Sequence, residues 1–88
     1  MSVYRFPPIA IKPKSLADQI DKLYEEVGEV WDAFIDQAGV EVIGMELLDI
    51  IHAVETALRM EFEDSEVEEL RAKVIEKNGR RGYYGTVD

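Results

Sequence analysis

Five carboxylates in two short stretches are the residues of this chain best suited to chemistry. Glu25, Glu26 and Glu29 fall in one stretch, and Glu46 and Asp49 in another. Spacings of three and four place side chains on neighbouring turns of one helix side. Two such helices packed antiparallel can bring both groups together. Several hard oxygen donors suit magnesium or manganese rather than zinc or copper. A divalent ion among them removes their mutual repulsion and can activate water. His52 follows Asp49 by three positions, within reach of such a site, although a lone histidine is more often structural.

A basic group lies further along. Arg71, Lys73, Lys77, Arg80 and Arg81 place half of the 10 basic residues within eleven positions. Lys73 and Lys77 share a helix face, and such cations can meet a phosphate tail. Trp31, Tyr83 and Tyr84 can stack on a base, or serve as core and subunit contacts.

Each group has a plainer reading. At about 100° per residue, Glu25 and Glu29 fall opposite the apolar stripe of their helix, beside Asp18, Asp32 and Asp36. That arrangement also describes a solvated acidic face. Cations near a helix end also complement its dipole. Two features favour a metal site. The first-helix acids have few basic partners four residues on, and Glu46 and Asp49 interrupt an otherwise apolar segment.

The elements that must position these residues are helical. Ser15 with Asp18 opens the first helix, whose stripe is Leu16, Ile20, Leu23, Val27, Val30 and Phe34. Gly28 within it predicts a close backbone approach, and Gly39 a stop. A second helix is expected from about Glu41 to Phe62, with Ile43, Leu47, Ile50, Val54, Ala57 and Leu58 facing inward. Leu48, Ile51 and Met60 widen that face, so it needs burial on more than one side. In 88 residues that burial calls for a second copy of the chain. A third helix is expected to begin near Ser65, capped by Ser65 and Glu68, with Val67, Leu70 and Val74 inward and Asn78-Gly79 as its stop. Residues 1–14, with Pro7, Pro8 and Pro13, read as an extended arm lying on its own domain or on a neighbouring subunit. Residues 15–79 read as the helical domain, and residues 80–88 as a basic and aromatic tail. The expected class is all-α: an antiparallel bundle of about three main helices per chain, completed by homo-oligomerisation.

Composition narrows the partners. A net charge of −9, from 19 acidic against 10 basic residues, opposes binding of polymeric nucleic acid. No apolar run is long enough to span a bilayer. The absence of cysteine excludes disulfides and thiolate sites and fits a cytoplasmic protein.

Glu25-Glu26-Val27-Gly28-Glu29, followed after sixteen residues by Glu46-Leu47-Leu48-Asp49, resembles the EExxE…ExxD signature of the MazG-like all-alpha NTP pyrophosphohydrolases. The wording of residues 22–30 and of residues 74–85 is similar to that family too, so the resemblance spans about Leu16 to Gly85. It implies a magnesium-dependent enzyme, with manganese as the alternative ion. Such an enzyme cleaves a nucleoside triphosphate between the α and β phosphates to a monophosphate and pyrophosphate. Glu25, Glu29, Glu46 and Asp49 would be metal ligands, Glu26 and Glu29 would be the catalytic pair, and Glu26 would either hold a metal or orient the attacking water. Lys73, Lys77, Arg81 and Tyr84 would bind substrate, and the chain would act as a homodimer or homotetramer. Alternatives are a pyrophosphatase for phosphoribosyl-ATP, dUTP or dCTP, or a helical interaction module without catalysis.

Overall fold

The computed structural model describes residues 3–85. The described residues form three α-helices: α1 (Leu16–Ile35), α2 (Val40–Glu61) and α3 (Asp64–Arg80). Two compact units result, one of Tyr4–Glu61 and one built on α3 from Phe62 onward. The all-α expectation holds for the described residues, and none of these helices is long and apolar enough to cross a membrane.

Ser15 opens α1 as expected, its Oγ accepting the Asp18 backbone N–H at 3.1 Å. The stop lies earlier than Gly39. The backbone turns left-handed at Gln37, with φ of 55°. The Gln37 N–H then reaches Phe34 O, and the Ala38 N–H reaches Ala33 O. That pair of bonds is a Schellman closure built without glycine. Gly39, at φ 101°, instead opens α2, its carbonyl accepting the Ile43 N–H at 3.1 Å.

α1 and α2 pair as an antiparallel hairpin. Gln19, near the start of α1, donates through Nε2 to the Ala53 carbonyl late in α2 at 3.0 Å. The seam is polar. Gln19, Glu26, Glu55 and Thr56 are buried, and Ala53 is the one buried apolar residue described in this unit. The expected inward stripes divide: Leu16, Leu23 and Val30 of α1 and Ile43, Ile50, Ala57, Leu58 and Met60 of α2 are half-buried, while Ile20, Val27, Phe34, Leu47, Leu48, Ile51 and Val54 are exposed. Gly28 does not mark a close approach either, because a Cβ added there meets nothing within 4 Å.

The arm lies on its own α2. The buried Glu55 carboxylate accepts the backbone N–H groups of Arg5 and Phe6 at 2.8 and 2.9 Å. One turn on, Arg59 Nη2 donates to the Phe6 carbonyl at 2.7 Å, and the guanidinium sits 4.0 Å from the centre of the Tyr4 ring. The Phe6 ring stacks on His52 with centroids 4.8 Å apart.

In the second unit, α3 starts before Ser65. Glu63 is the cap, its backbone N–H bonded to Glu66 Oε1 at 2.9 Å. The Ser65–Glu68 pair is displaced because Glu66 already closes the turn. The helix runs through Asn78 and Gly79 and ends at Gly82, with φ of 81°. There the Gly82 and Tyr83 N–H groups bond Gly79 O and Asn78 O, and the left-handed residue rather than the first glycine sets the end.

Candidate functional site

The middle of α1 and the first half of α2 meet at their acids. Because the helices run antiparallel, Glu26 of α1 comes alongside Glu46 and Asp49 of α2. One carboxylate oxygen from each lies within 4.8 Å of the others. Glu26 is buried, Glu46 half-buried and Asp49 exposed, so the group is open on one side. Glu26 Oε1 lies 3.2 Å from Lys22 Nζ. Glu26 Oε2 and Glu46 Oε2 are buried with no hydrogen-bond partner. Buried carboxylate oxygens without a partner are costly unless a cation or proton meets them.

Glu29, exposed on the next turn of α1, feels the group. Its carboxyl is raised above the usual 4.5, first by the charge of Glu26, then by desolvation and by Glu46. Lys22 is raised in turn by its contact with Glu26. A cavity of about 160 Å³ adjoins the acids, lined by Ile9, Gln19, Lys22, Glu26, Asp49, His52, Ala53 and Thr56. It thus carries two of the acids, one cation and the half-buried His52, whose Nε2 is buried without a hydrogen-bond partner.

The expected residues divide clearly. Glu26, Glu46 and Asp49 are together, and Glu29 is beside them. Glu25 is not brought to the group: its side chain is 68% exposed and lies 3.9 Å from Lys22 Nζ. The reason is the 100° step between successive residues, which sends one member of the Glu25-Glu26 pair inward and the other to solvent. In geometric terms Glu26 takes the ligand position expected of Glu25. Lys73, Lys77, Arg81 and Tyr84 belong to the α3 unit, and all four are exposed. Tyr84 lies over Gly79, its Cδ2 3.7 Å from where a Cβ would sit, and Arg80 pairs with Glu76. Trp31 and Phe34 stack on each other at the surface of α1.

Two residues lining the site, Gln19 and Lys22, and two holding the arm, Glu55 and Arg59, went unnoticed in the sequence. Lys22 carries a readable signal, since it stands four residues before Glu26. Glu55 and Arg59 show the same spacing, but each turns to the arm instead of to the other.

Compared with protein families, curated proteins and solved structures, the chain gives no match.

Proposed function

We propose that this chain is a magnesium-dependent nucleoside triphosphate pyrophosphohydrolase that works as a homodimer or homotetramer. The observation that carries the reading is the trio Glu26, Glu46 and Asp49, with two of its carboxylate oxygens buried and unpartnered. Donor set and geometry fit a hard divalent cation. Bound there, magnesium or manganese would lower the pKa of a coordinated water and polarise a phosphate.

The chain's own groups supply the rest. Glu26, Glu46 and Asp49 hold the cation, and Gln19 ties α1 to α2 beside them. Glu29, with its raised carboxyl, is suited to take the proton of the attacking water. The water oxygen bonds to phosphorus at the α–β bridge. The bridging P–O bond breaks, and its electron pair leaves with the departing phosphate group. Lys22, already facing the acids, is the cation of this unit placed to meet the phosphate chain. For Lys73, Lys77, Arg81 and Tyr84 of the α3 unit, substrate binding is proposed from the resemblance alone. Exposed apolar residues on α1 and α2 support self-association.

The test is a panel of nucleoside triphosphates with magnesium, read for pyrophosphate and monophosphate. We expect release with the wild type and a loss of at least ~100-fold in Glu46→Gln and Asp49→Asn, with helicity kept. No release across the panel, phosphoribosyl-ATP, dUTP and dCTP included, overturns the reading. The exposed apolar faces also suit a non-catalytic helical interaction module. That module predicts no thermal stabilisation by millimolar magnesium, whereas a metal site predicts an upward shift in Tm.

A further inference from the structure

Beneath the arm lies a larger cavity of about 280 Å³, which shares Ile9 and Thr56 with the one beside the acids. It is lined by Pro8, Ile9, Lys12 and Pro13 from the arm, and by Thr56, Arg59 and Met60 from α2. Its charged groups are all cationic, and no carboxylate lines it. The Thr56 hydroxyl already donates to the His52 carbonyl. Arg59 is half-buried. Its Nη2 is taken by the Phe6 carbonyl and one face by Tyr4, but its Nη1 is buried with no hydrogen-bond partner. Among the described residues, the ion pairs involve only Lys22 and Arg80 as cations, so neither Lys12 nor Arg59 has a carboxylate partner.

That is an unusual pairing in a chain with 19 acids. The buried Nη1 has no opening to the cavity, so what Arg59 offers an occupant there is its positive charge, and a lysine on the same cavity adds a second charge and a free donor for a planar or tetrahedral oxyanion. Pro8, Ile9, Pro13 and Met60 offer apolar walls for a compact body.

We propose that the cavity under the arm binds a small organic anion, its carboxylate or phosphate head held by Arg59 and Lys12 and its apolar body against the prolines and Met60. The site stands apart from the catalytic reading. Glu26, Glu46 and Asp49 do not line it, and it needs no metal.

The test uses the full chain with methyl-labelled methionine, following the Met60 methyl assigned by Met60→Leu. Phenyl phosphate, benzoate and neutral benzyl alcohol are the probes. We expect a saturable shift with at least one of the anions, and binding of benzyl alcohol about tenfold weaker or more. Whichever anion binds more tightly identifies the head group. Lys12→Gln should weaken binding about tenfold with unchanged helicity. It is the chosen variant because Arg59 also holds the arm. Glu46→Gln should leave binding intact even where it ends any hydrolysis, which separates this site from the acidic one. The proposal is overturned by the absence of a saturable shift with both anions, equal binding of benzyl alcohol, full binding by Lys12→Gln, or loss of binding in Glu46→Gln.

Discussion

Glu25 and Glu26 are chemically identical neighbours, yet one is a solvent-exposed partner of Lys22 and the other is buried among carboxylates. The charges of Glu26 and Glu46 act on Glu29, which therefore reports on the group. Its raised carboxyl means that, between the ordinary value of 4.5 and its own higher value, the folded chain binds more protons than the unfolded one. Stability contributed by this group is therefore present at low pH and falls as pH rises through that window. Carbon-detected NMR titration should find Glu29 above 4.5 without divalent ions, and magnesium should bring it down by cancelling the neighbouring charge. A Glu29 titration unchanged by magnesium would count against the cluster as a cation site.

Among the elements, the helix ends and the arm carry the clearest consequences. Gln37 holds a left-handed φ of 55° at the α1 stop, a conformation that glycine adopts with less strain. Gln37→Gly should raise unfolding stability by about 1 kcal/mol in a denaturant titration, with both Schellman bonds kept. The arm depends on Glu55, whose carboxylate receives two consecutive backbone N–H groups. Glu55→Ala should cost about 1–2 kcal/mol and speed amide exchange at Arg5 and Phe6 by ~10-fold or more, because two part-buried backbone N–H groups lose their acceptor. Exchange at Ala53 and Thr56, inside α2, should change less. Uniform acceleration along the whole chain would mean that Glu55 serves the fold and not the arm.

For the molecule as a whole, the balance of apolar surface is the main physical fact. The α1–α2 seam is filled by Gln19, Glu26 and Thr56, while Trp31 and Phe34 stand 61% and 60% exposed. Apolar burial contributes about 25 cal/mol per Å², so side chains of this size left in water forgo much of the driving force for folding. A second copy covering them is the simplest remedy. Light scattering at micromolar concentration should give a dimer or tetramer, and Phe34→Glu should weaken association with helicity retained. A mass of 10.0 kDa for the wild type at that concentration would remove the oligomer from the proposal.

Local information in the sequence determined the helices, the Ser15 cap, the absence of helix in the proline-containing arm and the list of carboxylates worth watching. These depend on backbone propensity, side-chain period and residue type, which neighbouring positions encode. Only the tertiary structure decided which acids meet. Pairing Glu26 with Glu46 and Asp49 depends on how α1 is rotated about its axis against α2, and a 100° error exchanges Glu25 for Glu26. The same rotation left Ile20, Val27 and Phe34 of the α1 stripe exposed and Leu16, Leu23 and Val30 half-buried, with Gln19 and Glu26 buried in the seam. The stops at Gln37 and Gly82 and the arm held by Glu55 and Arg59 were also decided there. They rest on which hydrogen bonds can close in space, and a pattern read along the chain does not contain that.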